Sequence, residues 1–280
     1  MKFEPLADTE CVVGESPVWD DVAAALLWVD IPAGMIHEFT PATGMRRHWR
    51  LEGPVGSIGL VKDGRLIVAR RHEVGFLDRA SGTYLPLARV LPTDPALRLN
   101  DGKVGPDGAF WVGSMHDVKE RRPLGALFRV APDGTVACKR EGVFVSNGLG
   151  WSPDGRMMFH SDSRGRWIER WAFNPQTGDI DGQQRIATIL DEDGRPDGAA
   201  VDAEGYYWSA GVSAGCLNRY APDGRLIERL AMPVPCPTMP CFGGDSRLYV
   251  TSLQPEGGPK GVVLVAPAFI KGAAIARFAA

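Results

Sequence analysis

A turn of acidic residues or glycines, followed at once by an aliphatic or aromatic strand, returns along the whole chain. It reads "VKDGRLIVA" from Val61, "VGPDGAFWVG" from Val104, "WSPDGRMMFH" from Trp151, "VDAEGYYWSA" from Val201 and "FGGDSRLYVT" from Phe242, with a degenerate first copy, "WDDVAAALLWVD", from Trp19. A second hairpin, such as "RVAPDGTVAC" or "RYAPDGRLIE", follows within the unit, so each unit holds about four strands. The turns recur roughly every 41 to 50 residues, the spacing of four-stranded propeller blades. No stretch sustains apolar residues at helical spacing, and Gly and Pro recur too often for long helices. The chain is therefore predicted to be all-β, a six-bladed β-propeller of four-stranded antiparallel blades, in one domain over residues 1–280. Such a ring has to close. The segments "DTECVVGE" near the N-terminus and "AAIARFAA" at the C-terminus are expected to pair with each other and remove the open sheet edges.

The totals exclude several classes of function. A net charge of −3 and a pI near 6.0 give no electrostatic reason to expect nucleic acid or an anionic membrane as partner. No apolar run approaches the length of a membrane span, and "MKFEPLADTECVVGE" lacks the basic and apolar regions of a secretion signal, so a cytoplasmic protein is expected. The five cysteines, Cys11, Cys138, Cys216, Cys236 and Cys241, are scattered without a C-x-x-C pair. This disfavours a disulfide framework and a thiolate zinc site. Cys236 and Cys241 are near enough in sequence to bridge, but free thiols are the expectation. A small-molecule partner and a monomer or weak homo-oligomer complete this reading.

Counting back seven residues from each turn gives Gly56, Asn100, Asn147, Asp197 and Thr238, and alignment of Trp19 on Trp151 adds Glu15. The first strand of every propeller blade lines the central channel, so these positions are expected to face one another across the axis. Asn-Gly and Asp-Gly are common turn dipeptides, and any one of "NDG", "NGL" and "PDG" can be read as only a turn. Their shared offset, and Glu15 at the same offset, argue for a ring of oxygen ligands. Glu15 and Asp197 brought together would repel, and burial would drive one to take up a proton. A divalent cation removes that conflict. All-oxygen ligation suits calcium, magnesium or manganese, with iron or zinc admitted by availability. The signatures of serine hydrolases, zincins and P-loop enzymes are absent. His37, His48 and His72 read as surface or blade-edge residues, whereas His116 in "GSMHD" and His160 in "FHSDS" end strands near the channel. The eight tryptophans are expected to pack between blades.

The set "GESPVW", "LRLNDGKV", "GSMHD", "VSNGLGWSPDG", "RPDGAAVDAEGYYW" and "PCFGG", in this order across essentially the full chain, resembles the SMP-30/gluconolactonase/regucalcin-like family of six-bladed propellers. The resemblance implies a metal-dependent lactonase acting on sugar lactones, with Glu15, Asn147 and Asp197 matching the metal ligands. Arg98 and Asn100 match substrate-orienting residues, and His116 joins them as a substrate-binding candidate. "GSMHD" is most similar to bacterial pentonolactone and aldonolactone hydrolases. The loop "HDVKERRPLGA" after Met115 carries no obvious match to the acidic residue that some members point at the sugar. In the chemistry that follows, the cation acts as Lewis acid and Asp197 as general base. Lys103 is a weaker candidate, expected at the next turn outward. A non-catalytic metal-binding scaffold, and a hydrolase of another ester or a phosphotriester, stand as alternatives.

Overall fold

The computed structural model describes every residue from Met1 to Ala280. It contains six four-stranded antiparallel sheets whose order follows the repeat. The inner strands are Gly14–Asp20, Val55–Leu60, Leu97–Val104, Ser146–Trp151, Pro196–Val201 and Pro237–Phe242, in blades 1 to 6 respectively. In blades 1 to 5 the chain steps outward through three further strands, each paired with the one before it. The predicted six-bladed β-propeller is the fold. The one helical element is a short turn at Asp191–Asp193, and no helix is long and apolar enough to cross a membrane.

Burial falls from the axis outward, and the sequence follows it. The inner strand of blade 2, "VGSIGL", is buried throughout, whereas its outer strand, "YLPLAR", is largely open to solvent. A strand packed on both faces reads as a continuous run of apolar and small residues, not as an alternation. The core accordingly divides into six clusters, one at each junction between blades. Leu27, Val29, Ile58 and Val68 fill the junction of blades 1 and 2, and Phe159, Ile168, Ala199 and Tyr207 that of blades 4 and 5. At the junction of blades 3 and 4, Trp111 meets Trp151 and Phe173 edge to face, with ring centroids 6.2 and 5.6 Å away. All eight tryptophans are buried, as the packing argument requires.

The repeated turn does more than reverse the chain. In blade 3, Asp107 accepts hydrogen bonds from Trp111 Nε1 at 3.2 Å and Arg129 Nε at 2.7 Å. In blade 5, Asp202 accepts from Trp208 Nε1 and Arg219 Nη2, each at 2.8 Å. The turn carboxylate thus ties the second strand to the third, and its charge is met as it is buried.

Ring closure departs from the expected pairing. Glu4–Pro5 lies as the outermost strand of blade 6, antiparallel to Leu264–Pro267. Cys11 and Val13 continue this seam as isolated bridges to Gly261 and Leu253. The segment "AAIARFAA" does not meet "DTECVVGE". It crosses the face of the ring that carries the repeated turns, where Phe278 N donates to Leu60 O at 2.8 Å and Ala279 N to Gly108 O at 3.0 Å. Only one sheet edge needed filling, and the N-terminal strand fills it. The C-terminal segment is held by Phe278, which is fully buried in the cluster between blades 2 and 3 and set edge-on to Phe76 at 5.8 Å.

Phe278 is therefore expected to matter to the whole ring although it stands next to the chain terminus. Phe278→Ala should lower stability by about 3–5 kcal/mol, the usual cost of emptying a phenylalanine site in a core. Urea unfolding followed by tryptophan fluorescence measures this, and a change of less than about 1 kcal/mol would show that the segment is only loosely attached.

Candidate active site

In every inner strand, the pairing with the second strand slips once. The slips lie between Glu15 and Val18, Val55 and Ser57, Leu99 and Gly102, Asn147 and Gly150, Pro196 and Ala199, and Pro237 and Met239. Each gives the inner strand one residue more than its partner, which bends it and re-aims the local side chains. The slips come in two forms. In blades 1, 3, 4 and 5 two inner residues stand against one, and these blades bring Glu15, Asn100, Asn147 and Asp197. In blades 2 and 6 a single residue, Gly56 or Thr238, is simply inserted. Two slips use left-handed backbone, at Ser16 (φ 48°) and Gly148 (φ 65°). A Cβ on Gly148 would also collide with the Tyr207 hydroxyl and Ser161 Oγ, so only glycine fits after Asn147.

Four of the predicted residues form one hydrogen-bonded chain across blades 3, 4 and 5. Arg98 Nη1 donates to Asn100 Oδ1 at 2.7 Å. Asn100 Nδ2 donates to Asn147 Oδ1 at 3.2 Å, and Asn147 Nδ2 donates to Asp197 Oδ1 at 2.6 Å and to Ser163 Oγ at 2.8 Å. Glu15 approaches from blade 1, its Oε2 accepting from Ser16 N at 2.8 Å. Both carboxyl groups are buried, Glu15 at 7% and Asp197 at 9% exposure. Burial lifts Glu15 well above the usual carboxylate range, with the charges of Asp197 and Asp101 adding to it. Asp197 is pushed up to about 8, first by burial and then by Asp101, against the pull of Arg195, Arg98 and Arg121. Two buried carboxyls that burial and neighbouring acids hold above their usual range, beside a neutral amide, fit a hard divalent cation. Nowhere do three His, Cys, Asp or Glu side chains cluster to hold a metal ion, and this site itself offers two carboxyls and an amide.

The backbone entering these positions is clamped the same way three times. Val13 N, two residues before Glu15, donates to Asp30 Oδ1 at 2.9 Å, and Val145 N, two before Asn147, donates to Asp162 Oδ1 at 3.1 Å. Arg195 N, two before Asp197, donates to Ser213 Oγ at 2.9 Å. Asp30 and Asp162 end their second strands, and sequence reasoning missed both. The signal was present in "LLWVD" and "FHSD", where an acid closes an apolar strand.

The remaining candidates divide. His116 is buried at the strand end opposite Leu97, and its Nδ1 accepts from Arg122 N at 3.1 Å, which leaves Nε2–H as the ring's donor. His160 lies in the core, bonded through Nε2 to Ser146 Oγ at 2.8 Å and set edge-on to Trp167. Lys103 does not lie at the outward turn. It is half-buried below the ring, with Nζ donating to Ala199 O at 2.7 Å, because Asp101 and the Ala199 carbonyl give its charge partners there. It borders a cavity of about 320 Å³ under the polar ring, lined by apolar residues such as Ile58, Trp151 and Ile275. Glu15, Asn147 and Asp197 do not line that cavity. Asp117, in the loop that carried no obvious acidic match, pairs with Arg98 Nε at 3.2 Å. All five cysteines are free.

Residues 13–254 match the family model described as the SMP-30/Gluconolactonase/LRE-like region. The chain belongs to this family. It is 32% identical to regucalcin of Xenopus laevis over 299 aligned positions, covering 100% of this chain and 99% of the relative. It is 37% identical to a 6-deoxy-6-sulfogluconolactonase of Pseudomonas putida, covering 86% and 83%. Among solved structures, a calcium-binding regucalcin from Agrobacterium tumefaciens superposes with a TM-score of 0.92 at 26% identity, covering 99% of this chain and 97% of that one. Members of the family thus share the whole ring with this chain, not a fragment of it.

His160 gives a pH test of the layer behind the site. Burial, with a smaller effect of Arg140, pushes its pKa from 6.5 down to about 3. The unfolded chain takes up this proton below about pH 6.5 while the folded one does not, so stability is present above that value and drains away as pH falls. His160→Gln should reduce the stability lost between about pH 7 and about pH 5 by roughly 2 kcal/mol. Denaturant midpoints at the two pH values check this, and equal losses in both proteins would place His160 in contact with water.

Proposed function

We propose that the protein hydrolyses sugar lactones to the open hydroxy acids, with the reaction centred where Glu15, Asn147 and Asp197 converge. The observation that carries this reading is that convergence itself: two buried carboxyls and an amide from blades 1, 4 and 5, with Arg98 and Asn100 alongside. A relative of 37% identity named for opening a gluconolactone supports it. Glu15, Asn147 and Asp197 would hold a divalent cation, which when bound supplies Lewis acidity at the lactone carbonyl.

The chain's own groups account for the rest of the reaction. Asp197 has one carboxyl oxygen engaged by Asn147, which orients the other toward the reacting water. That oxygen takes a proton as the water's oxygen bonds to the carbonyl carbon. The ring C–O bond then breaks, and the same proton passes to the departing alkoxide, so Asp197 ends each cycle ionised. Arg98 and Asn100 bind the sugar hydroxyls. The Asp117 carboxylate fixes the Arg98 guanidinium from behind, so its free N–H groups are held ready rather than sampled. His116 adds a donor at the mouth through Nε2–H.

The test is proton release from a panel of aldonolactones, with and without chelator. Asp197→Asn should keep the fold yet slow turnover by about 10²–10⁴-fold, the worth of a positioned general base. Glu15→Gln should weaken cation binding, read directly by calorimetric titration with calcium or manganese. An Asp197→Asn protein of undiminished activity would remove the proposed base. Full activity in chelator would remove the cation.

A further inference from the structure

Five arginines gather at the mouth of this site, and the protein supplies them with one acid. Asp117 is shared between Arg98, at 3.2 Å, and Arg71, at 3.5 Å. Arg121 lies in the loop between the second and third strands of blade 3, Arg164 in the corresponding turn of blade 4, and Arg195 two residues before Asp197 in blade 5. These segments adjoin the strand ends where His116 faces Leu97 and Asp162 faces Ser146, the same end of the ring as Asn100, Asn147 and Asp197. None of the three guanidiniums has an ion pair or a side-chain hydrogen bond. Three acids nearby are engaged elsewhere: Asp191 holds Arg166, Asp193 holds Arg229, and Asp162 is spent on backbone N–H groups. Glu120 and Glu192 carry no ion pair to any of the three arginines.

Arg164 is exposed, but Arg121 and Arg195 are half-buried and do not simply trail into water. Arg121 Nε is buried without a partner. Burial, followed by the like charges of Arg164 and Arg98, disfavours the protonated form of Arg121, while Asp117 works the other way. The positive charges of Arg195, Arg98 and Arg121 are all felt at Asp197. Glu15 and Asp197 do not offset this excess, because a divalent cation would consume their two charges. A chain of net charge −3 has thus set five arginines over one side of a pocket with Asp117 as the one acid ion-paired to any of them. Guanidiniums held together without a counter-charge repel one another, and they recognise carboxylate, sulfonate and phosphate through paired N–H donors.

We infer that the lactone opened here carries an anionic group at the end remote from its carbonyl, bound by Arg121, Arg164 and Arg195 over blades 3 to 5. The inference rests on the lactone-hydrolase reading and narrows its substrate class. Arg98 and Asn100 lie beside the reacting centre, while the three other arginines stand on the loops over blades 3 to 5.

The experiment compares kcat/KM for a neutral aldonolactone with lactones of the same ring whose terminal carbon bears a carboxylate, a sulfonate or a phosphate. At least one charged lactone should exceed the neutral one by about tenfold or more, the effect of one charge-assisted hydrogen bond. The arm that wins identifies the anion. Arg121→Gln and Arg195→Gln should shrink that ratio by raising KM for the charged lactone more than for the neutral one, with Arg121→Lys keeping part of it. Because the readout is a ratio within one preparation, loss of folded protein does not imitate the effect. Neutral lactones opened as well as every charged one by the wild-type protein would overturn the inference and leave the proposed function standing. No lactone opened at all would overturn both.

Discussion

An inner strand of this ring has two duties that conflict. It must stay in register with the strand beside it, or the blade comes apart, and it must direct a polar side chain toward the axis at one chosen level. One additional residue per inner strand resolves the conflict, since the pairing resumes beyond it while the chain bends locally. The rest of the site follows from that bend. Glu15 and Asp197 are brought together out of water, an arrangement that repulsion and desolvation both oppose. It persists because the backbone before each residue is already clamped, by Asp30 and by Ser213, and because six apolar junctions hold the blades in place. Stability of the ring thus sustains an unfavourable cluster at its centre, as functional sites commonly require.

The repeat made the architecture legible before any coordinates, because a blade cannot bury its faces alone and must recur with fixed spacing. The ring of Glu15, Asn100, Asn147 and Asp197 was legible for the same reason: equal offsets in equivalent units become neighbours in space. What lay outside the repeat was not legible. "AAIARFAA" offers a terminus of the right composition for closure, while Glu4–Pro5, the strand that does close the ring, is too short to announce itself. Lys103 was placed outside because a lysine usually avoids burial, and its two partners, Asp101 and the Ala199 carbonyl, sit on different blades. Asp117 and the arginines on the loops were hidden because loop lengths differ from blade to blade, so no shared offset links Arg121, Arg164 and Arg195.

That division separates two roles within one molecule. The bent inner strands build a centre that tolerates little change, as Gly148 shows, where any side chain would strike Tyr207 and Ser161. The loops over blades 3 to 5 are released from this constraint, since they carry no strand pairing to preserve. Charge placed there alters what is held near the centre without altering the centre. A fold of this kind can keep one chemistry and change its substrate, which is why the ring alone does not identify what is bound.

The seam of the ring has a consequence for how such a chain is made. Glu4–Pro5 leaves the ribosome well before its partner Leu264–Pro267, with five whole blades made in between. Until Leu264–Pro267 emerges, the nascent polypeptide therefore carries an incomplete sixth sheet, with the blades on either side of the gap exposing an apolar flank to solvent or to a chaperone. Cooperative locking waits for that segment, and a message truncated upstream of Leu264 would yield an open horseshoe instead of a smaller ring.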